Sequence, residues 1–264
     1  MLGSVFTKTL RDQRRSVIGW LLGIVLLIAY VVAFWPSMER SPALTQITEE
    51  LPEALRAFVG GADLTTARGF FSTQLFAFML PVLVGILAVG KGAATVAGEE
   101  ERGDLDLLLA QPVPRWRVAL EKAAAVLATI AAVVAVSCAV LWTGIAVIGA
   151  DVTAAEVARG MVGLGLLGWL LAAVALAVGA ATGHRGTAVA AGAVVGLLAY
   201  LASTFARLAN GLGWLAAASP WTWAFRGDAL GEGPGASGVA GLVVLTAALL
   251  AAGIWRFTER DVGV

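Results

Sequence analysis

The twenty residues SVIGWLLGIVLLIAYVVAFW, from Ser16 to Trp35, contain no charged side chain and decide the class of fold. A helix needs about 20 apolar residues to cross the hydrocarbon core of a bilayer. Inside hydrocarbon, each backbone N–H and C=O group must find a partner within the protein, which favours a helix. A secretory signal peptide is the alternative, but this stretch is longer than a signal core and no small-x-small cleavage site follows. The stretch therefore predicts a membrane span, which Pro36 would end.

The remainder of the chain repeats this pattern. Of the 264 residues of the whole chain, 59% are hydrophobic and 14% are charged, and the mean hydropathy is +0.87. Soluble domains are about 45–50% apolar and about 25% charged. The apolar runs are continuous and lack the alternation of barrel strands. We therefore predict one all-α integral membrane domain over residues 1–264, with spans at approximately 16–35, 69–97, 118–149, 160–181, 187–205 and 236–255.

The first fifteen residues are amphipathic and basic. Apolar residues recur at the spacing of one helical face, and basic residues occupy the rest of the circumference. This pattern predicts an interfacial helix over residues 1–15, with Phe6 and Leu10 toward lipid and Arg14 and Arg15 at the headgroups. A simple basic flank is the alternative.

The distribution of basic residues predicts the orientation. With the amino terminus in the cytoplasm, twelve of the 18 lysines and arginines fall on cytoplasmic segments and six on outer ones. We therefore expect both termini in the cytoplasm. The Ala- and Gly-rich composition is typical of a high-GC genome. The expected location is a prokaryotic plasma membrane. The net charge of zero gives no general attraction to nucleic acid.

Few residues could carry catalytic chemistry. The one histidine, His184, lies in a turn, and the one cysteine, Cys138, lies in an apolar run. Gly85–Gly92 has the spacing of a phosphate-binding loop, but its last position lacks the hydroxyl that would bind magnesium. The span centres hold no carboxylate or lysine, which an ion-driven carrier would need. We therefore predict no catalytic residue, metal site or cofactor in this chain, and an energy source outside it.

The segment from Ala97 to Lys122 is the largest one predicted on the cytoplasmic side. Leucines at i, i+3 and i+4 form an apolar stripe, carboxylates precede it, and Pro112 stops it. The segment predicts a short surface helix. Its leucine face could lie on lipid, or it could dock into a groove of a cytoplasmic protein, and the composition leaves both open.

Within this segment, EERGDLDLLLAQPVPR, from Glu100 to Arg115, resembles the E-x-x-G-(T/D)-L-(E/D)-L-L-L-(A/S)-x-P-(V/I)-(S/P)-R signature of the membrane subunits of type-2 ABC exporters. The basic amino-terminal segment, the stretch LPEALRAF at residues 51–58 and the closing FTERD at residues 257–261 are also similar to these permeases. The resemblance covers essentially the whole chain in order.

The resemblance implies that six spans form half of a transport unit, completed by a second copy or a related permease. Two copies of a separate cytoplasmic ATPase would bind ATP and magnesium, and residues 1–15 would form an elbow helix on membrane lipid. A coupling helix between spans two and three would seat on the ATPase. The implied coupling residues are Glu99, Glu100, Glu101, Arg102, Gly103, Leu105, Leu108, Leu109, Pro112, Arg115 and Arg117.

Spans two and five line the pathway in this family, which nominates Gln74, Phe78 and Tyr200. The loop before span six, with its tryptophans, would form a partly re-entrant cap or an ordinary interfacial belt. The expected substrate is lipophilic, such as a drug (as in multidrug exporters), a lipid or a peptide. A self-sufficient secondary carrier or channel is the alternative function.

Overall fold

The computed structural model describes residues 4–39, 65–104, 113–208 and 212–260, and every regular element in these ranges is helical. Six helical segments are long and apolar enough to cross a membrane, which confirms the predicted all-α membrane fold. The elements are α1 (Val5–Glu39), α2 (Ala67–Phe71), a π-helical segment (Ser72–Met79), α3 (Leu80–Thr95), α4 (Ala97–Glu101), α5 (Arg115–Ile148), α6 (Ala154–Thr182), α7 (Arg185–Leu208), α8 (Gly213–Ala218), α9 (Pro220–Phe225) and α10 (Ala236–Glu259).

Helix α6 lies at the centre of the bundle and packs against α3, α5, α7, α9 and α10, while α1 packs on α5. Glycines permit the closest approaches. A Cβ atom added to Gly253 of α10 would lie 2.8 Å from the Cα atom of Ala177 in α6. Such small residues let helix backbones approach within a membrane, where van der Waals packing replaces the hydrophobic effect between helices. We call the end where α1 begins and α10 finishes the proximal end, and the opposite end the distal end.

Substitution of Gly92 is expected to disrupt the contact between α3 and α6. A Cβ atom at this position would overlap the backbone carbonyl oxygen of Ala172, which cannot move aside as a side chain can. We expect Gly92→Val to cost about 1–3 kcal/mol or more, and to reduce the folded fraction in fluorescence-detected size-exclusion chromatography. Gly90→Val is the matched control, because a Cβ atom there meets nothing within 4 Å. Equal yields of the two variants would contradict this packing.

The structure corrects the predicted division of the first segment. Residues 1–15 and 16–35 were expected to form separate interfacial and spanning helices, but Val5–Glu39 is one helix with Pro36 inside it. No proline or other helix-breaking residue lies between the basic residues Arg14 and Arg15 and the apolar run that follows them, so the helix continues through both segments. Pro36 removes one backbone donor near the end, and the helix still reaches Glu39. At 1.5 Å per residue it is about 52 Å long, well beyond the hydrocarbon core of about 30 Å.

The second span differs from the single helix predicted over residues 69–97. Ser72–Met79 is π-helical, with the Leu80 N–H donating to the Leu75 carbonyl, and α3 then ends at Thr95. Pro81 follows immediately and lacks an N–H group for the preceding turn. The wider turn changes which side chains face outward. Leu75 and Phe76 are buried, whereas Gln74 and Phe78 are exposed.

Two more boundaries have clear local causes. Helix α6 starts at Ala154, earlier than the predicted residue 160, because Thr153 and Glu156 form a capping box. The predicted loop at residues 208–235 contains α8 and α9. Ser219 caps α9 ahead of Pro220, a start signal that the sequence prediction missed. The predicted surface helix around Leu105–Leu109 lies outside the described residues, as does the stretch at residues 51–58.

Candidate functional site

Helix α4 lies at the proximal end, where the chain leaves α3, and each of its three carboxylates contacts a different part of the bundle. Glu99 forms an ion pair with Lys122 of α5. The Lys122 side chain is only 1% exposed, and its Nζ atom also donates to the Thr95 carbonyl oxygen at 2.8 Å. A buried ammonium group is tolerated only when its hydrogen-bonding capacity is used in this way.

The other two carboxylates reach α10 and α7. Glu100 forms an ion pair with Arg260, the residue that follows the last turn of α10. The Arg260 carbonyl oxygen in turn accepts a hydrogen bond from Arg115 Nη1 at 2.9 Å. The Glu101 Oε1 atom accepts from the backbone N–H of Arg185 at 2.8 Å, at the first residue of α7. A carboxylate is favoured there by the unpaired N–H groups of a helix start.

An apolar cluster packs beside these contacts. Val96, Ala119, Ala180 and Phe257 are all 1% exposed or less, and they come from the α3–α4 junction, α5, α6 and α10. The ion pairs and this cluster together hold α4 to four other segments. A displacement of α4 would therefore be passed to α5, α7 and α10 rather than absorbed by a free loop. We call Glu99, Glu100 and Glu101 with their partners the α4 junction.

The start of α1 is fixed to the same end. The Phe6 N–H donates to Glu121 Oε2 of α5 at 3.1 Å, and Arg117 Nε donates to Glu121 Oε1 at 3.0 Å. Of the predicted elbow residues, Phe6 and Leu10 are partly buried and Arg14 and Arg15 are exposed.

The predicted coupling residues thus fall into two groups. Most of those that the structure describes form ion pairs or hydrogen bonds within the chain. The three glutamates and Arg115 contact other spans. Arg102 forms an ion pair with Asp104 at 2.9 Å in an exposed turn at Gly103. The second group, Leu105, Leu108, Leu109 and Pro112, lies outside the described residues. The sequence pattern predicted a role for the three glutamates, but it did not identify Lys122, Arg185 and Arg260 as their partners.

A groove runs between α3 and α7, with Leu171 of α6 at its base and a cavity volume of about 460 Å³. Most of its lining side chains are aliphatic or are small residues, and Arg185 is the one charged residue that lines it within the described part of the chain. Two of the three predicted pathway residues line it, Phe78 and Tyr200, whose ring centroids are 5.5 Å apart. Gln74 is exposed but is not among the lining residues. We call this feature the α3–α7 groove.

Aromatic rings close the distal part of the groove. Trp221 of α9 lies 4.9 Å from Tyr200 and 5.9 Å from Phe225, measured between ring centroids. Behind Tyr200 and Trp221 is a second cavity of about 30 Å³, with hydroxyl groups from Ser72 and Thr73 in its lining. That volume is large enough for an ordered water molecule. The sequence prediction placed Trp221 in a re-entrant cap or an interfacial belt and did not predict its contact with Tyr200.

The distal end has its own polar contacts. Arg68 lies 3.3 Å from Glu156 and 4.0 Å from Asp228, and Ser72 Oγ donates to Asp228 at 3.0 Å. These contacts join the starts of the second and fourth spans to the loop after α9. The Arg68 side chain is half exposed, so solvent screening limits what its ion pairs contribute.

The model of a family described as "ABC-2 family transporter protein" matches residues 4–262. No match to the chain is found among the curated proteins.

Proposed function

Because the chain belongs to the ABC-2 family of transporter proteins, we propose that it is the permease of an ATP-driven exporter, served by a separate cytoplasmic ATPase. The family is one of multi-pass membrane transport subunits that are not themselves catalytic. In this proposal two copies of the ATPase bind ATP and Mg²⁺, and a second copy of this chain or a related permease completes the pathway. The unit resides in a prokaryotic plasma membrane with both termini in the cytoplasm.

The α4 junction is the observation that carries the proposal. The segment from Glu99 to Arg117 seats on the ATPase, and its leucine stripe provides the docking surface. ATP binding draws the two ATPase subunits together and displaces this segment. The contacts of Glu99, Glu100 and Glu101 then pass the displacement to α5, α10 and α7. Differential affinity for substrate in the two resulting states makes the cycle a net transport step.

The α3–α7 groove supplies this chain's half of the pathway. It holds Phe78 and Tyr200 in an open groove of the part of the chain that the structure describes, and α7 is directly attached to α4 through Glu101. Movement of α4 therefore acts on one wall of the groove. The apolar lining fits a lipophilic substrate such as a drug, lipid or peptide.

Purification from native membranes in mild detergent tests the subunit assignment. We expect an equimolar ABC ATPase to co-elute and to give vanadate-sensitive ATP hydrolysis. Leu108→Glu is expected to remain in the membrane but to lose the ATPase, because a carboxylate replaces an apolar docking side chain.

Ala155→Glu is the matched control, since it adds the same charge at an exposed site in the first turn of α6, at the distal end. A monodisperse oligomer without ATPase in several detergents, with ion-dependent transport, would instead establish a self-sufficient carrier. Retention of the ATPase by Leu108→Glu would contradict the docking role of the leucine stripe.

A further inference from the structure

The α3–α7 groove has an apolar wall along its length and a single charge at one end. The wall is lined by Val82, Ile86, Val89, Val189 and Leu197, and among the residues that the structure describes no carboxylate contributes to the lining. Arg185 lines the proximal end, and the aromatic pair Tyr200 and Trp221 closes the distal end. The groove is therefore amphiphilic, with its charged end proximal and its apolar, aromatic end distal.

The Arg185 side chain is exposed at the proximal end of the groove. Its backbone N–H is taken by Glu101, but the ion pairs within the described ranges 4–39, 65–104, 113–208 and 212–260 do not include its side chain. Other arginines at this end, Arg115 and Arg260, are bonded to the protein. A planar guanidinium is well suited to hold a carboxylate or phosphate through paired hydrogen bonds.

The length of the groove limits how long the apolar chain of a bound ligand can be. Arg185 and Tyr200 are fifteen residues apart on α7, which corresponds to about 22 Å along the helix axis. One leaflet of a bilayer contributes about 15 Å of hydrocarbon, half of the core. A chain that enters from the proximal leaflet with its headgroup at Arg185 would therefore be contained before it reaches Trp221.

We propose that the α3–α7 groove binds an amphiphile with one long apolar chain and an anionic headgroup, with the headgroup on Arg185 and the chain along α3 and α7. This assignment rests on the proposed pathway and narrows its substrate class from lipophilic to anionic and lipid-like. Because the proximal end is the proposed cytoplasmic end, the substrate is taken from the inner leaflet.

Photolabelling in nanodiscs of neutral phosphatidylcholine tests the assignment. The probes are a long-chain fatty acid with a diazirine near its methyl end and the matched primary amine and alcohol. Labelling of α3 and α7 peptides is normalised to labelling of α1, whose Leu22, Leu26 and Tyr30 are exposed on the bundle surface. We expect the fatty acid to exceed the amine by about tenfold, the ratio given by about 1.4 kcal/mol.

Two sets of variants separate charge from shape. Arg185→Gln should abolish the preference for the fatty acid, and Arg185→Lys should retain part of it. Arg256→Gln is the control, an exposed arginine at the proximal end of α10 that does not line the groove. Ala193→Phe fills the groove from an exposed lining position and should reduce labelling by all three probes.

The outcomes distinguish this inference from the pathway proposal. Equal labelling by the three probes, or a preference that persists in Arg185→Gln, would overturn the anionic assignment and leave an apolar pathway. Labelling no higher than that of α1, unchanged by Ala193→Phe, would show that another surface covers the groove and would overturn both. Size-exclusion profiles of each variant establish that the compared proteins are folded.

Discussion

Lys122→Met is expected to lose about 3–5 kcal/mol of folding free energy, the usual cost of removing one partner from a buried ion pair. Methionine preserves the length and apolar stem of the side chain but donates no hydrogen bond. Its introduction would leave the Glu99 carboxylate, which is 18% exposed, without its ion-pair partner. It would also remove the donor to the Thr95 carbonyl. Titration with sodium dodecyl sulfate in mixed micelles measures the change.

Two further variants show whether the unpaired charge is the cause. Glu99→Gln combined with Lys122→Met removes both charges and is expected to recover part of the loss, because no unpaired charge is then left at this site. Arg102→Gln breaks the exposed pair with Asp104 and should change stability by at most about 1 kcal/mol. Wild-type stability in Lys122→Met would show that the ammonium group does not hold α4 to α5.

The six spans could be predicted from sequence because the bilayer imposes one dominant cost. An unpaired backbone group in hydrocarbon is so unfavourable that long apolar runs can only be helices. Boundaries depend on weaker local effects. The capping box at Thr153 extends α6 by a turn and a half beyond the apolar run, and Pro36 proves too close to the end of α1 to stop it.

The contacts of the candidate site could not be predicted in the same way. The charge run at Glu99–Glu101 was visible, but Arg260 is 160 residues from Glu100, and no local pattern indicates that they pair. Lys122 gave a partial signal, as a charge seven residues inside α5. The outward turn of Phe78 depends on the π-helical segment, since an ordinary helical turn would place a different set of side chains on that face. The leucine stripe remains a sequence prediction.

These contacts also suggest why the glutamates and the leucines are adjacent in the chain. A docking surface moves the spans only if it is firmly attached to them. The leucine stripe follows α4 within a few residues, and α4 is held by charge-assisted bonds to three spans. Such bonds are shorter and stronger than neutral ones. The pattern places the attachment points directly beside the proposed docking surface.

Exchange of the charges of Glu100 and Arg260 is expected to separate an internal role from a contact with the ATPase. Glu100→Arg and Arg260→Glu each replace an ion pair by like charges at the α4–α10 contact. Hydrogen bonds to charged groups contribute about 1.5–3 kcal/mol, so each single variant should lower permease-dependent ATP hydrolysis by about tenfold or more. The complex with its co-purified ATPase, reconstituted in nanodiscs, provides the measurement.

The double variant Glu100→Arg/Arg260→Glu restores the ion pair in reverse and should recover hydrolysis to within about twofold, because the pair couples only its two members. Arg256→Glu is the control, a charge reversal one turn earlier on α10 at an exposed arginine. If the double variant stays as inactive as Glu100→Arg, the carboxylate of Glu100 is required by a surface outside this chain. In that case the docking surface extends from the leucine stripe onto α4 itself, and the α4 junction acts as part of the contact with the ATPase.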